Sequence, residues 1–155
     1  VQLYPLKNNA YELFLSGYNC TQAVVGAFAD VIGMDFDTAV RFASGFGGGM
    51  GRLREVCGTF SGAVIVVNVL YGYSDPKNVQ AKTELYSRIQ ELAAQFRRDN
   101  GSIICKELLG LSRSEGSPIP EARTDEYYKK RPCPELCRYS ANMLEEYIRE
   151  HPPVK

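Results

Sequence analysis

The side chains in this sequence best suited to chemistry are its five cysteines, Cys20, Cys57, Cys105, Cys133 and Cys137. The thiolate form of cysteine is the nucleophile, the oxidisable species and the ligand for soft metals. The chain has a single histidine, close to its C-terminal end, which disfavours Cys–His hydrolysis and histidine-rich metal sites because both need an imidazole. Thiol redox chemistry and a metal–thiolate site are therefore the two chemistries that the sequence favours.

Sequence signals place four of these cysteines at the starts of predicted helices. Cys20 follows a good N-cap residue, Cys57 opens an apolar segment, Cys105 lies in the first turn after a serine, and Cys133 lies between two prolines. A helix N-terminus carries about half a positive charge and unpaired N–H groups, both of which stabilise a thiolate. We therefore expect a lowered thiol pKa at these positions and, if the helix starts converge, a cluster of reactive thiols. The alternative is that each cysteine is a small buried hydrophobic residue.

A metal site built from the same cysteines is a second hypothesis. The sequence has no Cys-x-x-Cys pair and no ferredoxin-type run. Cys133 and Cys137 are four residues apart and lie on one face of a helix, and Cys20, Cys57 and Cys105 would complete the ligand set. The sequence leaves three possibilities for the cofactor: zinc, an iron–sulfur cluster, or none.

Proline and glycine residues divide the chain into pieces of helix length, which predicts an all-α, single-domain helical bundle of about six helices with a glycine-rich loop, over residues 1–155. The stretch Cys57–Tyr71 is rich in valine and isoleucine, as strands are, but its length of about fifteen residues favours a buried helix. Asp75 and Pro76 are expected to cap and open the longest helix. The predicted helices cover Leu6–Leu15, Cys20 to about Val31, Thr38–Ser44, Cys57–Tyr71, a long segment ending at Asn100, Ser102–Leu109, and about Pro134 to Arg149. Residues Leu111–Thr124 are expected to form a loop.

The stretch Gly45–Gly51 contains five glycines and is expected to turn tightly or pass close to another group. It does not match the dinucleotide-binding fingerprint, because Met50 stands where that pattern needs glycine. Arg52 and Arg54 follow the loop and are candidates for contact with an anion. Close helix packing is the simpler explanation for the glycines.

Composition narrows the class of partner. Eighteen basic residues balance eighteen acidic ones, so electrostatics give no reason to expect nucleic acid or an anionic membrane as a partner. The longest apolar run, Ala63–Leu70, is far shorter than the ~20 residues of a membrane span. Five cysteines are an odd number at low density, unlike a secreted disulfide framework, and predict a cytoplasmic thiol protein.

Short segments around the cysteines resemble the C–GCAxxG–C–C family, which is named for its cysteine pattern and is associated with redox activity. The resemblance extends from about Leu13 to Tyr147. It is carried by Gly17–Ala23, Ala43–Gly51, Cys57–Ala63, Gly101–Gly110 and Cys133–Leu136. It implies an all-helical domain with a redox role and no particular substrate.

By this resemblance the four family cysteines are Cys20, Cys57, Cys105 and Cys133, and Cys137 is an additional thiol. The leading hypothesis is a thiol–disulfide or electron-transfer protein, acting as a thiol-dependent oxidoreductase on a redox partner protein or a small thiol or disulfide. In this hypothesis Cys57 is the reactive thiolate and one of the other three family cysteines resolves it as a disulfide.

An interaction module without catalytic activity is a third hypothesis. Gly58, Ser61 and Gly62 are spaced three and four residues apart, so on a helix they form a flat strip. Such a strip allows a second helix to approach closely. A homodimer contact through this strip is therefore one expectation.

Overall fold

The computed structural model of the protein describes residues 6–111 and 117–154. The fold is all-α, as predicted, and an isolated antiparallel bridge between Val56 and Ile104 is the β-type pairing found in the described residues. The helices are α1 (Leu6–Leu15), α2 (Cys20–Ala27), α3 (Phe36–Ala43), a 3₁₀ turn (Ser44–Phe46), α4 (Gly47–Met50), α5 (Gly58–Tyr71), α6 (Val79–Asn100), α7 (Cys105–Leu108), α8 (Asp125–Lys130) and α9 (Cys133–Glu150). The parts of the predicted single domain at 1–5, 112–116 and 155 lie outside the described residues.

The centre of the bundle is formed by α1, α2, α5 and α9. Helix α1 packs against α9 and α2, and α2 packs against α5, while the long helix α6 covers the far side of α5. Helix α2 is buried along almost its whole length. None of the helices in the described ranges combines the length and the apolar character that a membrane crossing requires.

Helices α2 and α5 approach each other closely because α5 presents glycines to α2. A Cβ atom added to Gly62 would lie 2.9 Å from Cβ of Val24 and 3.3 Å from the carbonyl oxygen of Thr21. Gly58 and Gly62 are both buried in this contact, whereas Ser61 is partly exposed. The expectation that this strip forms a homodimer contact is therefore wrong for the two glycines, since α2 already covers them.

The segment Cys57–Tyr71, for which both strand and helix were considered, is helical. It forms α5, with Cys57 as the N-cap residue and eight buried residues. The face that carries Ser61, Val64 and Asn68 is partly or fully exposed, and it holds two polar residues of the helix. The valines and isoleucines are tolerated because tertiary packing outweighs their modest preference for strands.

The end of α2 and the presence of α8 differ from the prediction, and α3 and α7 start at Phe36 and Cys105 rather than at Thr38 and Ser102. Helix α2 ends at Ala27, four residues earlier than expected, and the chain then runs through turns to Gly33, which has a φ of +68°. Phe28 and Ile32 continue the apolar pattern in these turns and remain buried, which is why the pattern resembles a longer helix. Helix α8 was not predicted; its N-cap is Thr124, whose hydroxyl accepts a hydrogen bond from the N–H of Tyr127.

The long helix α6 begins at Val79, and Asp75 does not cap it. Asp75 instead accepts a hydrogen bond from the N–H of Lys77 in a local turn (2.9 Å). Asn78 is the N-cap and accepts from the N–H of Ala81 (3.0 Å). Aspartate and asparagine both favour either role, so sequence alone does not decide between them.

The glycine-rich loop contains an unusual run of left-handed backbone. Gly48, Gly49, Met50, Gly51 and Arg52 have φ angles between +55° and +71°, and Arg54 follows with +62°. Residues other than glycine rarely adopt this backbone conformation, because it costs about 1–3 kcal/mol for each such residue. The segment therefore turns through left-handed backbone at glycine and non-glycine positions alike, and Gly47 and Gly49 also pass close to other groups.

We expect Gly62→Ala to destabilise the fold by about 1–3 kcal/mol, because the new methyl group overpacks the α2–α5 contact. This loss should exceed the gain of up to about 1 kcal/mol that alanine brings to a helix interior. Urea unfolding followed by circular dichroism measures the change. Gly45→Ala is the matched control, because a Cβ there meets no atom within 4 Å; equal stability of the two variants would contradict the close-packing explanation.

Candidate functional site

The four helix-start cysteines line one cavity of about 390 Å³. Cys20, Cys57 and Cys105 are 6–8% exposed and Cys133 is partly buried, and all five cysteines are free thiols. Cys137 is fully buried and is not among the residues that line the cavity. The structure thus brings together the four cysteines that the sequence analysis singled out.

Cys20 is placed by a well-capped helix start. The side chain of Asn19 accepts a hydrogen bond from the N–H of Gln22 (2.9 Å), and the Gln22 side chain accepts from the N–H of Asn19 (3.1 Å). The same asparagine donates to the carbonyl oxygen of Ser44 (2.9 Å). A Cβ at Gly47 would lie 2.4 Å from the Asn19 side chain. The glycine loop is therefore held directly against the start of α2.

Cys57 and Cys105 lie on either side of the antiparallel bridge between Val56 and Ile104. The N–H of Cys57 donates to the carbonyl oxygen of Ile103 (2.7 Å), and the N–H of Cys105 donates to that of Glu55 (2.5 Å). Each cysteine then begins a helix directed away from the bridge. This pairing explains how two residues 48 positions apart face one cavity.

Buried hydroxyl groups join the starts of α2 and α5 to each other and to the interior of α9. Thr21 Oγ1 donates to the carbonyl oxygen of Gly58 (2.9 Å), and Ser140 Oγ donates to that of Thr59 (2.7 Å). The Cys137 thiol lies 3.8 Å from the carbonyl oxygen of Cys20. These polar contacts are satisfied in a site from which water is largely excluded, and they fix the relative positions of three helices that carry cysteines.

Burial opposes the thiolate form at most of these cysteines. Burial raises the pKa of Cys57 to about 12, although hydrogen bonds from Thr59 and from the backbone at the start of α5 lower it. Burial is also the main cause of the raised pKa at Cys105, Cys133 and Cys137. The expected lowering by helix N-termini is thus present at Cys57 but smaller than the desolvation penalty. The expectation of a lowered pKa is therefore wrong for these thiols.

Negative charge on Cys20 raises the pKa of the other four thiols. It contributes to the raised pKa of Cys57, Cys105, Cys133 and Cys137, and it is the largest charge effect at all of these except Cys105, where Arg54 outweighs it. The Cys20 thiol is therefore close enough to the other four thiols for its charge to affect each of them. A thiolate at Cys20 disfavours a second thiolate anywhere else in the cluster.

Arginine side chains form much of the cavity wall. Arg54 is buried and its Nη1 lies 3.7 Å from Sγ of Cys105, where its hydrogen bond and its charge lower that thiol's pKa. Arg131 lowers the pKa of both Cys105 and Cys133. Arg52 and Arg123 also line the cavity.

The segment 117–124 is fastened across the cavity by three of these arginines. Arg52 donates to the carbonyl oxygens of Ser117 (3.2 Å) and Ile119. Arg123, which belongs to the segment, donates to the carbonyl oxygens of Phe14 and Tyr18. Arg131 forms an ion pair with Glu121. The lining residues Pro118, Pro120, Glu121 and Arg123 come from this segment.

The metal hypothesis finds no preformed ligand set. Within residues 6–111 and 117–154, no group of three or more cysteine, histidine, aspartate or glutamate side chains is arranged so that it could hold a metal ion. Cys20, Cys57, Cys105 and Cys133 line the cavity but do not form the compact ligand group that zinc or an iron–sulfur cluster requires, and Cys137 is not among the lining residues.

A family model described as "putative redox-active protein (C_GCAxxG_C_C)" matches residues 18–147. The chain belongs to this family. The resemblance seen in the sequence is thereby confirmed, and membership in the C–GCAxxG–C–C family supports a general redox role. No curated protein and no solved structure matches the chain significantly.

Sequence reasoning missed the contribution of Arg123, Arg131 and Tyr127 to the site. These residues reach the cavity through the segment 117–131; residues up to Thr124 are expected to be loop, and no helix is predicted between Thr124 and the last helix. The alternation of acidic and basic residues there is typical of a solvated surface. Thr124, a helix N-cap residue followed by two acidic residues, was the one signal that predicts a helix in this segment.

We expect the stability of the reduced protein to fall as pH rises from about 8.5 toward 12. An unfolded cysteine ionises near ~8.5, whereas burial raises the pKa of Cys57 to about 12 in the folded state. Between these values the unfolded state binds fewer protons, so the free energy of unfolding decreases with rising pH. Urea unfolding at pH 8 and pH 10, with a phosphine reductant, measures the slope.

Cys57→Ala is the comparison variant for this measurement. Removing the thiol removes its share of the pH dependence, so the variant should lose less stability between pH 8 and pH 10 than the wild type does. An identical loss in both proteins would show that the Cys57 thiol ionises as readily folded as unfolded.

Proposed function

We propose that the protein is a cytoplasmic thiol–disulfide oxidoreductase in which Cys20 is the attacking thiolate and Cys57 is the resolving thiol. The observation that carries the proposal is the convergence of four helix-start cysteines on one cavity. Family membership supports a redox role for this cluster. The substrate side is a disulfide, either of a small molecule or of a redox partner protein.

Three observations favour Cys20 over Cys57 as the nucleophile. Cys20 begins an eight-residue helix with a complete capping box, whose N-terminus favours negative charge. Its charge influences every other thiol of the cluster, whereas burial holds Cys57 in the protonated form at neutral pH. These observations reverse the order that the sequence suggested for the two residues.

Cys57 is the favoured resolving thiol because of its place beside Cys20. Sγ of Cys20 would lie 2.3 Å from a Cβ added at Gly58, the residue next to Cys57. The charge of Cys20 is the second-largest cause, after burial, of the raised pKa at Cys57. The two cysteines therefore adjoin each other at the contact between α2 and α5.

The effect of the Cys20 charge on the pKa of Cys57 determines the order of the two exchange steps. The Cys20 thiolate attacks one sulfur of the substrate disulfide, forms a mixed disulfide and releases the first substrate thiolate. Cys20 is then neutral, so its charge no longer raises the pKa of Cys57. Cys57 gives its proton to the first substrate thiolate and attacks Sγ of Cys20, which closes the protein disulfide and releases the second thiolate. Two electrons pass from the cysteine pair to the substrate, and an external dithiol returns them.

We expect Cys20→Ser to abolish rapid reaction with an uncharged disulfide, because the attacking atom is lost. Cys57→Ser should still react once and then accumulate the mixed disulfide on Cys20, because no thiol resolves it. Stopped-flow release of the substrate thiol gives the rate, and intact mass with peptide mapping identifies the adduct. Hydroxyethyl disulfide is the probe.

Cys137→Ala is the control, since Cys137 does not line the cavity, and it should react as the wild type does. Wild-type rates in Cys20→Ser, or a protein disulfide in wild type that excludes Cys20, would overturn the assignment. Closure of the disulfide in Cys57→Ser at the wild-type rate would show that Cys105 or Cys133 resolves Cys20 instead, and it would contradict the pairing proposed here.

A further inference from the structure

The cavity accommodates a small molecule better than the surface of a folded protein. Its volume of about 390 Å³ lies within the range of ~300–1,000 Å³ typical of small-ligand sites. Cys20 and Cys57 are at most 8% exposed, so a disulfide on a protein surface would need to project deeply to reach them. The segment 117–124, which arginine side chains fasten across the cavity, narrows the approach further.

The cavity wall is more cationic than anionic. Arg52, Arg54, Arg123 and Arg131 line it, and Glu121 is the carboxylate among the lining residues that the structure describes. Glu121 is engaged by Arg131.

Among the contacts that the structure describes for residues 6–111 and 117–154, Arg123 has no carboxylate partner and retains its charge. It donates to the carbonyl oxygens of Phe14 (2.8 Å) and Tyr18 (3.0 Å) and lies over the ring of Phe14, with 4.1 Å from its central carbon to the ring centroid. Carbonyl oxygens and an aromatic face orient a guanidinium but do not neutralise it. Its positive charge therefore remains available to the cavity.

The positive charges of Arg123 and Arg131 affect the ionisation of the thiols. Arg131 favours the thiolate form of Cys105 and Cys133, and Arg123 favours that of Cys137. In a cleft with low-dielectric walls, charges of one sign concentrate ligands of the opposite sign. The charge that stabilises a thiolate also attracts an anionic substrate and stabilises the thiolate that leaves it.

We infer that the substrate of this site is a small, negatively charged disulfide, such as one whose two halves each carry a carboxylate. The inference rests on the thiol–disulfide function proposed above. The overall reaction consumes the anionic disulfide and two protein thiols, and it yields one protein disulfide and two small anionic thiols. Arg123 binds the substrate charge and takes no part in the exchange itself.

A series of small disulfides of similar size and different charge tests the inference. Dithiodipropionate is dianionic, hydroxyethyl disulfide is neutral and cystamine is dicationic. Each single-turnover rate with the reduced protein is divided by the rate of the same disulfide with mercaptoethanol, so that intrinsic reactivity cancels. We expect the normalised rate to fall by about tenfold or more from the anionic to the cationic compound, and to fall with added salt for the anion while rising for the cation.

Arg123 variants separate charge from structure. Arg123→Gln should lower the rate for dithiodipropionate relative to that for hydroxyethyl disulfide and raise the rate for cystamine relative to it, while Arg123→Lys should retain the wild-type order. Arg98→Gln is the matched control, because Arg98 lies on the exposed face of α6, away from the cavity lining, and it should show wild-type rates. Thermal unfolding confirms that each variant is folded.

The outcomes distinguish this inference from the function on which it rests. If a protein disulfide forms but the three compounds react without charge order, the oxidoreductase function stands and the anionic substrate is wrong. If Arg123→Gln slows all three compounds equally, Arg123 acts only by holding the segment 117–124, and the inference is overturned. If none of the three compounds yields a protein disulfide, the oxidoreductase function itself fails.

Discussion

The close contact between the starts of α2 and α5 is the constraint on which the site depends. Gly58 leaves space for the Cys20 thiol, and the Thr21 hydroxyl donates to the Gly58 carbonyl oxygen. Because Gly58 has no side chain, the starts of α2 and α5 can approach so closely that the Cys20 sulfur and the Thr21 hydroxyl lie against Gly58. Ser140 then joins α9 to the same point through the carbonyl oxygen of Thr59. Three helices from distant parts of the chain thus deliver cysteines to one cavity.

The chemistry of the cluster is a balance between two opposing effects. Helix starts and arginine side chains favour thiolates, while burial and mutual repulsion disfavour them. Burial prevails at Cys57 and at the three cysteines beyond it in the sequence. A cluster of this kind holds few charges at a time, so loss of charge from one sulfur atom makes the next one easier to ionise. This property suits disulfide exchange, in which the thiols ionise one after another, better than a metal site, in which several thiolates must be charged at the same time.

Much of the scaffold could be predicted from the sequence because it depends on local signals. Asn19 and Gln22 form the capping box that starts α2, and Gly101 ends α6 in the left-handed conformation that favours glycine. The places of the four family cysteines at helix starts could be predicted, whereas their convergence on one cavity depends on how the helices pack. The sign of the pKa change did not follow, because it depends on how many atoms surround each sulfur in three dimensions. The arginine wall was equally hidden, since Arg123 and Arg131 face the cavity only through the path of the segment 117–131.

The left-handed run that follows the 3₁₀ turn has a consequence for how the protein opens. Met50, Arg52 and Arg54 hold conformations that ordinary side chains avoid, and together they store several kcal/mol, at about 1–3 kcal/mol each. That sum is a sizeable part of the ~5–15 kcal/mol that keeps a domain folded. Proteins open locally at a range of free energies below that of global unfolding, and release of this strain lowers the free energy needed to separate the loop from Cys105. Breathing of one short stretch of chain would then give larger molecules a brief route to sulfur atoms that the resting structure conceals.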